Sequence, residues 1–301
     1  MIVGALPPDE LRRRLRSTGL RVHLGPVAAS IRSPFRGIEH AVATHYAAHR
    51  VVADDAFVDF HVSVDASGAR RVVRPQAVFR YEGHQPFRPL SAAHAFPLLE
   101  WGLNWCVSSQ CHQYLIVHSA VVEREGKVLI LPAPAGSGKS TLCAALVARG
   151  WRLFSDELAL IDIASGLLVP IPRPISLKNA SIDVVRRFWP DATIGPAATN
   201  TIKGTVAHAT APRSSVLRAA EGAAPGLVVV PRFEAGAATR LEPLGKAAAF
   251  MQLVENAFNY SMHGRAGFER LAALIEASAC YRFTYGGDLD AATQAIAALA
   301  R

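Results

Sequence analysis

The sequence predicts an α/β fold in two parts, and three observations carry that expectation. Alternating apolar and polar residues mark strands within the first hundred positions. A strand, a glycine-rich loop and a helix follow one another over 128–150, and apolar strand patterning resumes directly afterwards. The expected division is a β-rich (α+β) domain over 1–112, ending in a buried helix, and an α/β domain over 113–301. With 301 residues, 50% of them hydrophobic, the chain can bury one large core or two modest ones.

The elements follow in order. The stretch "LRRRLRSTGLR" (11–21) reads as the solvated basic face of an N-terminal helix. The other reading, a nucleic-acid patch, lacks the aromatic interleaving or module that such binding uses. In "VVADDAF" (51–57), Asp54 and Asp55 suit a hairpin turn. "AFVDFHVSV" (56–64) and "QAVFRYEG" (76–83) alternate as strands, with "DASGARR" (65–71) as the turn after the first. "FPLLEWGLNWCVSSQCHQY" (96–114) is densely apolar and carries Pro97 in a first helical turn, which predicts a buried helix. "LIVHSAVV", the turn "EREGK" and "VLILPA" make a strand pair, and "KSTLCAALVARG" makes a helix. "PAATNTIKGTVAHATAPRSS" (196–215) is rich in Gly, Pro and Thr and reads as a long functional loop.

The chemistry concentrates in "LILPAPAGSGKSTLCAAL" (129–146). Backbone N–H groups of a glycine-rich turn, together with a helix N-terminus, converge on anionic oxygens. Pro134, Ala135, Gly136, Ser137, Gly138, Lys139, Ser140 and Thr141 fit a phosphate cradle, in which Lys139 reaches the β- and γ-phosphates and the Ser140 hydroxyl ligates Mg²⁺. Ala133 stands where the G-x-x-x-x-G-K-[ST] pattern has its first glycine, at a strand end where a small residue suffices. Seventeen residues after Lys139, Asp156 and Glu157 stand together at a strand edge. Two such carboxylates can divide labour, one orienting the metal and one accepting a proton from a hydroxyl. Arg173, Lys178, Lys203 and Arg232 are candidate cations for phosphate charge. Asn256 and Asn259 read as caps or cross-links of the C-terminal helices.

The set "VHSAVV", "PAGSGKSTL" and "ARGWRLFSDELALI" resembles the core of bacterial HPr kinase/phosphorylase. "EWGLNWCV", "RPISLKNASIDVVR", "TIKGTVAH" and "NAFNY" more narrowly resemble the HPr kinase-related kinase A group. The resemblance implies a P-loop kinase core of the HPr kinase/phosphoenolpyruvate carboxykinase-like type. It implies His118 near the transferred phosphate, polarising the catalytic acid; Asp156 as general base for a substrate serine; and Glu157, in place of a second Asp, as metal support. ATP and Mg²⁺ are the implied cofactors. A protein or peptide bearing serine is the implied substrate, alongside a PqqD-like small protein, and the family's assembly implies a homo-oligomer. No copy of the Glu-Ile-Arg-Gly or Gly-Arg-Asn segments is present, so the resemblance extends neither to dephosphorylation nor to HPr itself. A small-molecule kinase, on a sugar or sugar-lipid, and a nucleotide-gated binding module without transfer are the alternative functions.

The excess of 32 basic over 24 acidic residues favours anionic partners. No apolar run approaches the roughly 18 residues that span a bilayer, and the first residues lack a basic leader region. Cys106, Cys111, Cys143 and Cys280 show no CxxC pairing and read as buried thiols rather than disulfides or zinc ligands. The expectation is a cytoplasmic protein.

Overall fold

The computed structural model describes residues 1–66, 75–134 and 136–300; Ala135 and most of the "DASGARR" turn lie outside them. The first part contains α1 (Pro8–Arg16), β1 (Leu20–His23), β2 (Ala28–Arg32), α2 (Arg36–His45), β3 (Phe60–Ala66), β4 (Gln76–Tyr81), β5 (Leu90–Ser91) and α3 (Ala95–Gln110). Its five strands lie in the order β1-β2-β3-β4-β5, with β2 and β3 parallel and the other pairs antiparallel. In α1, Pro8 opens the helix and Leu11 and Leu15, four apart, are buried. Arg12, Arg13 and Arg14 pair with Asp9, Glu10 and Glu39, so the basic cluster is a solvated helix face. The Asp54–Asp55 turn is present but closes no hairpin, because β3 pairs with β2 and β4 instead. Helix α3 buries residues all round and packs on β4. Gly102 makes that approach close, since a Cβ there would stand 2.1 Å from the Phe79 ring.

The second part contains β6 (Tyr114–Arg124), β7 (Lys127–Pro132), α4 (Lys139–Ala148), β8 (Arg152–Ser155), β9 (Leu158–Asp162), β10 (Leu168–Val169), β11 (Ile175–Lys178), α5 (Ala180–Phe188), β12 (Ala198–Thr201) and β13 (Gly204–Ala209). It continues with α6 (Arg213–Leu217), β14 (Ala224–Phe233), β15 (Arg240–Pro243), α7 (Lys246–Glu255), α8 (Tyr260–Ala277), β16 (Ala279–Tyr285) and α9 (Leu289–Leu299). A mixed sheet runs β10-β9-β6-β7-β14-β16-β15, with β8 also on β6; β7 and β16 flank β14 in parallel. Leu129 and Leu131 of β7 face the core under α4 and α9, and Val128 and Ile130 face that under α7 and α8. Burial on both faces is why "VLIL" reads as an unbroken apolar run. Glu125 and Gly126, both at positive φ, close the two-residue β6–β7 turn. The 196–215 stretch is not a loop. It folds into the β12–β13 hairpin, which joins β11 in a three-stranded sheet. Its Thr and Asn residues misled because β12 is an edge strand with Thr199 and Asn200 exposed.

The two parts share material. One apolar cluster carries Leu99, Leu103 and Val107 of α3 together with Ile116, Leu158, Leu160 and Ile171. Beside it runs a buried polar seam. Arg173 pairs with Glu100 at 3.1 Å and bonds Asn104, the Tyr46 hydroxyl donates to Glu100, and His49 Nε2 donates to the Pro172 carbonyl at 3.2 Å. Burial holds the rings of His45 and His49 down to about 4 and that of His208 to about 3. The unfolded chain therefore takes up protons that the folded chain refuses, and these histidines withdraw stability as pH falls from about 6.5 toward 4. Glu100 and Asp156, both raised by burial, act in the opposite sense. A single variant isolates one contribution. His49→Gln keeps a donor for Pro172, and the stability it loses between pH 7.5 and pH 5 should be smaller than the wild-type loss by about 2 kcal/mol. Urea unfolding at the two pH values measures this, and equal losses would refute it.

Candidate functional site

Gly138 is the N-cap of helix α4, and its left-handed φ of 88° turns the chain from the β7 loop into the helix. No acidic residue occupies the first turn, so nothing within the helix offsets the N–H groups and the positive end of its dipole. The Gly138 carbonyl accepts from the Tyr285 hydroxyl at 2.9 Å, and an added Cβ would stand 2.1 Å from that oxygen. At Gly136 φ is also 88°, but an added Cβ would meet nothing within 4 Å. Gly138→Ala should therefore lower stability by roughly 1–3 kcal/mol, and Gly136→Ala by less. Chemical denaturation compares them, and equal losses would mean the Tyr285 contact has no steric force.

These elements wall a cleft of about 350 Å³. It is lined by Gly136, Gly138, Lys139, Ser140 and Thr141 on one side and by His118, Asp156, Glu157, Ser176 and Lys178 on the other. Val184, Phe233, Tyr285 and Leu289 supply apolar wall. Pro134 is exposed on the loop. Ser137 lies on its outer side, with a buried hydroxyl that has no partner among the described residues. Ala133 is fully buried, and its carbonyl accepts from Lys139 Nζ at 2.5 Å, with the Pro134 carbonyl at 3.1 Å. A methyl side chain thus serves where the motif has glycine. Burial pushes the Lys139 ammonium below its ordinary value, while Asp156 and Glu157 pull it back up.

The two acids sit on the turn from β8 to β9 and differ sharply. Asp156 is 4% exposed; Oδ2 accepts from the Ser176 amide at 2.9 Å, and Oδ1 is buried without a partner. Burial first, and the Glu157 charge second, raise Asp156 to about 7, against the pull of Ser176 and the nearby Ser140 hydroxyl. Burial also pushes Glu157 up, but the His118 hydrogen bond and the charges of Lys178, His118 and Lys203 outweigh it and leave Glu157 well below the usual carboxylate range. His118 Nε2 lies 3.2 Å from Glu157 Oε2; against an ionised carboxylate that nitrogen carries the proton. The histidine therefore engages Glu157, and not Asp156 as the resemblance implies. The site presents one carboxyl poised near neutrality beside one held ionised, an arrangement suited to separate acid–base and electrostatic roles.

The candidate cations divide. Lys178 enters the cleft. Lys203, on the β12–β13 turn, holds Nζ 4.8 Å from the Trp101 ring centroid and contributes charge at Glu157. Arg173 is not brought into the cleft, because its guanidinium is engaged by Glu100 and Asn104 behind the acids. Arg232 is an exposed surface group paired with Glu234 at 2.6 Å. Asn259 does not cap α8: its side chain bonds the Ile116 amide and the Tyr114 carbonyl, tying the helix end to β6, while Asn256 bonds the Gln252 carbonyl. The four cysteines are free and buried. Sequence reasoning missed Ser176, Phe233 and Tyr285; the strand ending in "TYGG" is the one local signal that could have marked Tyr285.

The donor set fits a hard divalent cation. Ser140, Asp156 and Glu157 offer only oxygen. Among the described residues no group of three or more His, Cys, Asp or Glu is assembled to cage a metal. No helix is long and apolar enough to cross a membrane among the described residues. No protein-family model matches the chain, and no curated protein matches it.

Proposed function

We propose that this protein is an ATP- and Mg²⁺-dependent kinase that phosphorylates a serine or threonine hydroxyl on a small protein or peptide. In this reading the α/β part is a P-loop kinase core of HPr kinase-like type, working in the cytoplasm. The observation that carries it is the meeting, in one cleft, of a helix N-terminus without an acid in its first turn, its lysine, and a buried acid raised to about 7 beside an ionised one.

Gly136–Thr141 would hold the triphosphate, and Lys139 would exchange the Ala133 and Pro134 carbonyls for phosphate oxygens. Ser140, Asp156 and Glu157 would hold Mg²⁺, which when bound neutralises charge between the outer phosphates. Asp156 accepts the hydroxyl proton of the substrate, and a pKa near 7 gives it both the ionised form and the proton affinity that a general base needs. Lys178 and Lys203 offset charge from the substrate side. Val184, Phe233 and Leu289 offer an apolar wall to the nucleotide base.

Transfer from γ-labelled ATP with Mg²⁺ into a lysate of the native host tests this. A discrete labelled protein or peptide band, absent with Lys139→Ala, is the expected result. Label confined to a small molecule would make the chain a sugar or sugar-lipid kinase. ATP binding without transfer to any fraction would make it a nucleotide-gated module.

A further inference from the structure

Behind Asp156, on the side away from the glycine loop, lies a narrow chamber with room for about one water molecule. Five buried polar atoms without a partner among the described residues belong to its lining: Trp101 Nε1, Asp156 Oδ1, Arg173 Nε, Ser176 Oγ and His208 Nε2. Asp156, Arg173, Ser176 and His208 are each more than nine-tenths buried. Leaving so many such groups unsatisfied is costly, and their concentration at one point is the signature of a built polar site. The roles are complementary. Trp101 and Arg173 have only N–H to offer, Asp156 when ionised only accepts, and His208, held neutral by burial, has one ring nitrogen free to accept. A water needs two donors and two acceptors, and the chamber supplies them.

We propose that the chamber is a water site and that Trp101 is a positioning residue for Asp156. The indole N–H and Arg173 Nε–H donate to one water, which donates to Asp156 Oδ1 and His208 Nε2, while the indole face steadies Lys203 beside Glu157. The proposal rests on the reading of Asp156 as the site's proton acceptor. It makes α3, from the first part of the chain, a wall of the site.

The charged and titratable groups facing Asp156 are Glu157 on its own turn, Lys139 and Cys143 on α4, Lys178 on β11, and Glu100, Arg173 and His208 across the chamber. Near neutral pH Glu157 stays ionised, while Cys143 stays a thiol and His208 stays neutral.

The test follows indole N–H signals of the full ¹⁵N-labelled chain, which has four tryptophans. Trp101→Phe identifies one signal by its loss. In the wild type that signal should show cross-relaxation from an immobilised water. Asp156→Asn, compared with the wild type at one fixed pH, should move that signal while the other three stay in place. Should Trp101→Phe fail to fold, Asp156→Asn still serves, since one of the four signals, and no other, should both carry the bound water and move. An indole signal that shows no bound water, or that is unmoved in Asp156→Asn, overturns the proposal. Neither ATP nor an acceptor is used, so the result is independent of the kinase reading.

Discussion

Asp156→Asn should stop phosphoryl transfer and, at pH 8, make the protein more stable. The two effects have one cause. Burial raises the Asp156 carboxyl from an ordinary value near 3.8 to about 7. A carboxyl raised on folding costs stability as pH climbs above the unfolded value, and the cost is complete only above the folded one. Asparagine carries no charge and can keep the hydrogen bond from the Ser176 amide through its own oxygen. The gain should be roughly 2–4 kcal/mol at pH 8 and should fade toward pH 4. The loss of transfer should be about 10²–10⁴-fold, the share a positioned general base contributes. Thermal melts at pH 5 and pH 8, alongside single-turnover transfer, check both. A variant destabilised equally at the two pH values would mean that Asp156 is a structural acid, and a retained rate would remove it from the chemistry.

Lys139→Ala should reduce transfer by at least about 10²-fold, as expected when a fixed charge on the developing phosphate is removed. Lys139 is 6% exposed and held by two loop carbonyls, so the ammonium is already oriented at the mouth of α4. Its charge also acts across the cleft with those of Asp156 and Glu157. Without it the Asp156 carboxyl should rise further, and the acid limb of the residual pH–rate profile should move upward. A rate within a few-fold of wild type would exclude the phosphate role. A lower rate with an unmoved acid limb would show that the two groups do not feel each other.

What the sequence made legible depended on how local the determining physics is. Strands β6 and β7 were readable because burial on both faces demands an unbroken apolar run, and the loop because glycine, lysine and serine must fall at fixed spacing. Helix α3 was readable from its all-round apolar character. The β12–β13 hairpin was not, since an exposed edge strand is composed much like a loop. Arg173 was misjudged because its partner, Glu100, lies 73 residues away and leaves no mark on the local pattern. The same holds for His118: the resemblance puts it at the site, but only the β6–β9 register, in which it faces Leu158, brings it to Glu157 rather than Asp156. Trp101 escaped notice because both of its contacts, the face toward Lys203 and the edge toward the chamber, are long-range.

The apolar cluster that runs from α3 into Ile116, Leu158, Leu160 and Ile171 also limits how such a chain can be rearranged by recombination. A crossover near residue 112 would hand those strand residues to water and leave α3 with nothing to cover. The first third of the chain is therefore no exchangeable cassette, and a viable chimera has to inherit both sides of that seam from one parent.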